Sequence, residues 1–95
     1  MNKNVRLNAW AVCKERPVQK VRPGWWVYTH GPTDLGAWGE VQANLQFVEA
    51  GTKRAKTRLS VANPDTGRID VVEIYNNHPA WCCTAAQARK AGLTG

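Results

Sequence analysis

The chain is 95 residues long, enough for one domain around one modest core. Thirteen Lys and Arg against seven Asp and Glu give a formal net charge of +6, which favours an acidic partner, nucleic acid first and an acidic protein next. No apolar run approaches the ~20 residues of a membrane span, Met1-Asn2-Lys3-Asn4 leads on without an apolar signal region, and Cys13, Cys82 and Cys83 make no even disulfide framework, so the expectation is a reduced cytoplasmic protein without membrane contact.

In chain order, residues 5–13 alternate first. Val5, Leu7, Ala9, Ala11 and Cys13 share one parity and Arg6, Asn8, Trp10 and Val12 the other, which predicts a half-buried strand. Residues 14–22 are a charged connection containing Pro17, which predicts a loop or an irregular edge. They complete a basic block of Lys3, Arg6, Lys14, Arg16, Lys20 and Arg22, opposed only by Glu15. Pro23-Gly24 then turns the chain into a strongly β-prone run, residues 25–29. In a strand, Trp25 and Val27 point to one face and Trp26 and Tyr28 to the other. One pair must be core; the other belongs to a second core layer or to a binding surface. Residues 30–39 carry Gly31, Pro32, Gly36 and Gly39 and read as a long, turn-rich loop.

Residues 40–48 alternate most clearly. Val41, Ala43, Leu45 and Phe47 interleave with Glu40, Gln42, Asn44 and Gln46, which predicts a strand with one wet face and with Val41, Leu45 and Phe47 buried. After the Ala50-Gly-Thr-Lys53 turn, Ala55, Thr57, Leu59 and Val61 alternate with Arg54, Lys56, Arg58 and Ser60. Asn63-Pro-Asp-Thr-Gly67 is a hairpin turn. On the returning strand, Ile69 and Val71 share one parity while Val72 and Ile74 share the other. A β-bulge near Asp70-Val71 would bring them to one core, setting Val61 opposite Ile69, Leu59 opposite Val72 and Arg58 opposite Glu73. Asn76-Asn-His-Pro79 breaks that strand. Thr84-Ala-Ala-Gln87 is a capping-box pattern, residues 85–91 are helix-prone, and Gly92 fits the position after the helix, with Leu93 folding back.

These elements predict a mainly β protein: a small, five-stranded antiparallel barrel over about residues 5–75 and a helical tail over 79–93, in one domain spanning 1–95. Val21-Arg-Pro-Gly-Trp-Trp-Val27, Gly36-Ala-Trp-Gly-Glu-Val41 and the Pro64-Asp-Thr-Gly67 turn resemble the SH3-like barrels, including Tudor- and KOW-like domains. The ending, from His78-Pro-Ala-Trp81 to Leu93, looks like the tails of short bacteriophage-encoded proteins. Neither likeness assigns a role to any residue.

Binding, rather than catalysis, is the expected activity. His30 and Asp34 share a loop with no nucleophile beside them, and no glycine-rich phosphate loop precedes a helix, so neither a catalytic residue nor a cofactor is expected. His78 and Cys82 stand four apart, but no pair of cysteines has zinc spacing, and no metal is expected. Five tryptophans are an excess for this length. Trp25, Trp38 and Trp81 suit a core, and Trp10, Trp26 and Tyr28 are the candidates for exposed stacking. Strand alternation puts Arg54, Lys56 and Arg58 on one face, ~6–7 Å apart, the scale of a phosphate ladder and equally of a solvated strand face. Two partners stay open: nucleic acid, held by Arg54, Lys56, Arg58 and an exposed aromatic; or a host or virion protein, with the chain as a phage or mobile-element accessory that docks through a sheet edge or the Trp26-Tyr28 face.

Overall fold

The computed structural model describes residues 10–30 and 36–93. They form one antiparallel sheet of six strands and a short C-terminal helix. The strands are β1 (Lys14–Pro17), β2 (Trp26–Tyr28), β3 (Trp38–Val48), β4 (Ala55–Ala62), β5 (Ile69–Tyr75) and β6 (Pro79–Cys83); the helix is α1 (Ala85–Lys90). Their order across the sheet is β1-β6-β2-β3-β4-β5. The sheet is therefore mainly β as expected, with six strands instead of five, and it does not close into a barrel: β1 and β5 are its two edges and do not pair. The expected first strand is not present over residues 10–12, which are helical; residues 5–9 lie outside the described residues.

Each face of the sheet carries a core. On the inner face Val27, Val41, Leu59, Val61, Ala80 and Cys82 pack together, with Trp25, Val72 and Ile74 at the margin. The connection after β1 closes this face. It makes a 3-10 turn at Val18–Lys20 and drops Val18 and Val21 into the core. The carbonyls this exposes are met from within, because the Asn44 amide donates to Val21 O at 2.6 Å and to Val18 O at 3.4 Å, and Val18 N–H in turn donates to His78 O at 2.9 Å. On the outer face Trp26, Tyr28, Trp38 and Cys83 pack against Ala88 and Leu93, with Trp10, Cys13 and Trp81 beside them. Tyr28 and Trp38 stack with ring centroids 6.0 Å apart. Both parities of the β2 run are thus core, and the Trp26-Tyr28 pair is the second layer.

α1 forms as its sequence dictates. Gln87 N–H donates to Thr84 Oγ1 at 3.2 Å and Thr84 N–H donates to Gln87 Oε1 at 3.0 Å, closing the capping box. At the other end Gly92 takes φ +78°, Leu93 N–H reaches Ala88 O, and Leu93 turns back into the outer core.

Register decides which side chains reach solvent. β4 and β5 pair without interruption from Lys56↔Tyr75 to Ala62↔Ile69, so the bulge expected at Asp70-Val71 is absent. Leu59 faces Val72 and Arg58 faces Glu73 as expected, but Val61 faces Asp70. The irregularity lies on β3 instead, where Val41 pairs with Val61 and Ala43 with Ser60, leaving Gln42 extra. Beyond it the β3 parity is reversed. Leu45 pairs with Arg58 and Phe47 with Lys56, on the outer face. Leu45 is consequently exposed and Phe47 half-buried, where the plain alternation predicted both inside.

Candidate functional site

The residues expected to bind separate into two groups. Trp26 is 2% exposed and Tyr28 is 0% exposed, both in the outer core, so neither offers a face for a base to stack on. The reason is α1 and the segment bearing Trp10, which cover β2 from outside. Trp10 is half-buried, its ring 5.9 Å from Tyr28 and 5.7 Å from Trp81. The basic residues stay at the surface. Lys56 and Arg58 sit on β4, and Arg54 immediately precedes it.

Their surroundings differ from a phosphate ladder. Lys56 Nζ lies 2.8 Å from Glu49 Oε2, and Arg58 Nε and Nη2 donate to Glu73 Oε2 at 2.9 and 2.8 Å. The Glu49 carboxyl is held below the usual range, first by the bond from Lys56 and then by the Thr52 hydroxyl. Lys56 is held above its usual range by the same partner. The long side chains lie flat on rings: Arg58 over Phe47 at 5.1 Å, Lys56 over Tyr75 at 5.1 Å and Arg54 over Tyr75 at 5.3 Å. Two of the three cations thus have carboxylate partners. Among the described residues no ion pair engages Arg54, nor Arg68 at the opposite end of β5.

Around these pairs the outer face of β3-β4-β5 is apolar and uncovered. Leu45 is 53% exposed, Ile69 54%, Val71 57% and Tyr75 39%. α1 and the Trp10 segment cover the β6-β2 part of this face, and Leu45, Ile69, Val71 and Tyr75 lie beyond their reach. Ile69, Val71 and Tyr75 form an exposed apolar row along β5, and Leu45 lies two strands away on β3, across Arg58. An open groove of about 540 Å³, lined by Arg54, Ala55, Tyr75, Asn76 and Asn77, lies at the Tyr75 end of β5.

The two sheet edges are built differently. β1 has four residues, of which Lys14, Glu15 and Arg16 are charged and Pro17 lacks an N–H, so it is blunted against further pairing. β5 has seven residues, no proline and an unbroken ladder on its inner side. Its outer-facing residues are Ile69, Val71, Glu73 and Tyr75, and Glu73 is already occupied by Arg58. β5 carries neither a proline nor a bulge; its charges are Asp70, on the inner face opposite Val61, and Glu73, paired with Arg58.

The residues that the sequence singled out for metal chemistry do not assemble. Cys82 and Cys83 lie in β6, so one points to the inner core and the other to the outer. Among the described residues no three metal-ligating side chains gather; Asp34, weighed with His30 as a catalytic candidate, lies outside the described residues. Ile69, Val71 and Leu45 are surface residues that the sequence reading assigned to the core. The signal for the first two was present: their parity conflicts with that of Val72 and Ile74, and an exposed apolar row satisfies the conflict as well as a bulge does. No family model, no curated protein and no solved structure matches this chain.

Proposed function

We propose that the protein is a binding module that adds an extended segment of a partner protein to the free edge of β5. The observation that carries this reading is the edge itself: seven residues long, without proline or bulge, and continuous with exposed Ile69, Val71 and Tyr75. Main-chain hydrogen bonds along such an edge supply affinity, and alternate side chains supply selectivity. The chemistry of the occupant follows from the ends of the strand. Arg68 precedes Ile69 and Arg54 lies over Tyr75, so the edge carries a cation at each end. A second copy paired antiparallel on β5 would bring Arg68 of each chain toward Arg54 of the other, a like-charge contact. The fitting segment has apolar residues at alternate positions and a carboxylate near each end. Nucleic acid is less well served, because Trp26 and Tyr28 are buried and Lys56 and Arg58 are paired.

The test is fluorescence anisotropy with a labelled seven-residue peptide alternating valine and threonine between terminal aspartates. Binding is expected, and it weakens by about tenfold or more in Val71→Lys, whose side chain is exposed and whose fold is retained. The same peptide N-methylated at alternate residues does not bind, because its strand hydrogen bonds are lost. Binding of single-stranded or duplex oligonucleotides in place of the peptide, falling steeply with salt, would overturn the reading in favour of nucleic acid. Concentration-dependent dimerisation abolished by Val71→Lys would overturn it in favour of a second copy.

A further inference from the structure

Cys13 and Cys83 are 70 positions apart in sequence and side by side in the fold. The β1-β6 ladder pairs Lys14 with Cys82; carried one residue further, the same register sets Cys13 opposite Cys83. Cys83 is buried in the outer core and Cys13 packs against it, the neighbouring thiol pushing Cys13 up and Cys83 down from the ordinary cysteine value. Directly opposite residues on one face of an antiparallel pair have Cβ atoms about 4.5–5.5 Å apart, close to the ~3.5–4.5 Å of a disulfide. Cys82, though adjacent to Cys83 in sequence, points into the inner core with the Arg16 guanidinium 3.8 Å from its sulfur. Strand geometry therefore separates the vicinal pair and joins the distant one.

We propose that Cys13 and Cys83 form an oxidisable dithiol, converted to an intramolecular disulfide by a low-molecular-mass disulfide. The inference is independent of the β5 edge. Cys13 is half-buried and Cys83 fully buried, so the oxidant meets Cys13 first. Loss of the Cys13 proton to solvent frees its sulfur to attack the oxidant. One thiolate leaves, and a mixed disulfide remains on Cys13. Cys83 then gives up its proton to the thiolate that left and attacks the Cys13 sulfur, expelling the second thiolate, which takes up a proton from solvent. In sum, two protein S–H bonds and one external S–S bond are exchanged for one protein S–S bond and two external S–H bonds; the protein loses two electrons and the oxidant gains them. The product ties the Trp10 segment, whose carbonyl accepts from Cys13 N–H, to β6 over the aromatic core.

The experiment is titration of the full chain with glutathione redox buffers, read by intact mass and by peptide mapping without reduction. The expected result is a species lighter by two hydrogens with a Cys13–Cys83 link, also formed by Cys82→Ser and reversed by excess reduced glutathione. Its thermal midpoint rises by about 10 °C or more, since a loop this long is closed in the unfolded chain. Cys83→Ser should stop at the glutathione adduct on Cys13. A Cys82–Cys83 link, a Cys13–Cys13 dimer, or a mixed disulfide that persists in the wild type would overturn the proposal.

Discussion

Trp26 shows what can and cannot be read from one residue. The β-propensity of its neighbours places it in a strand, and the alternation separates it from Trp25 and Val27, but nothing local says that α1 will lie over it. Its indole N–H finds no acceptor among the described residues, so the ring is held by packing alone. Trp26→Ala should therefore cost about 3–5 kcal/mol in chemical denaturation, the range for a large buried aromatic. Gly39 is as constrained by backbone: φ is +133°, and a Cβ there would lie 2.1 Å from Ala62 O. Gly39→Ala should cost about 3 kcal/mol or more by the same measurement, because both the conformation and the space are denied to it. Lys56 and Glu49 give a pH signature. A carboxyl whose folded pKa is depressed contributes stability above its unfolded pKa and loses it as pH falls through the folded value. The Glu49 carboxyl carbon, followed by NMR, should therefore titrate below an ordinary glutamate, and Lys56→Met should return its midpoint upward.

At the level of elements, local signals were sufficient where local chemistry decides. The Thr84-Gln87 capping box, the Gly92-Leu93 helix end and the Asn63–Gly67 turn are all contained in a few residues. β6 was not legible. Pro79 opens it, two cysteines close it, and its strand conformation comes from β1 and β2 on either side of it. β3 was half legible. A strand over residues 40–48 and a buried Val41 were legible, but one extra residue at Gln42 reverses the face of every position after it. Deep inner-face Leu59 and exposed outer-face Leu45 test that register directly. Leu59→Ala should lose about 3 kcal/mol, whereas Leu45→Ser should stay within ~0.5 kcal/mol of wild type in the same denaturation series.

For the whole molecule, the asymmetry of the sheet matters most. Principal extents of 42 × 23 × 20 Å fit a body whose longest strand, β3, runs about 35 Å at ~3.3 Å per residue. One end is double-layered: the 3-10 turn at Val18–Lys20 closes the inner face and α1 the outer. Toward β5 the outer layer runs out, leaving Ile69, Val71 and Tyr75 exposed along an edge without proline or bulge, and Leu45 two strands in. The net positive charge was legible from composition and the Arg58–Glu73 pair from the strand pattern, but the Lys56–Glu49 pair depended on how the turn between β3 and β4 folds. The account stands most directly on where an acidic strand attaches. Titration of the ¹⁵N-labelled chain with the aspartate-ended valine-threonine peptide should shift the amides of Ile69–Tyr75 together with Arg54 and Arg68, and leave β1 and α1 unmoved. Saturable shifts centred on β1 or α1, or none on β5, would contradict it.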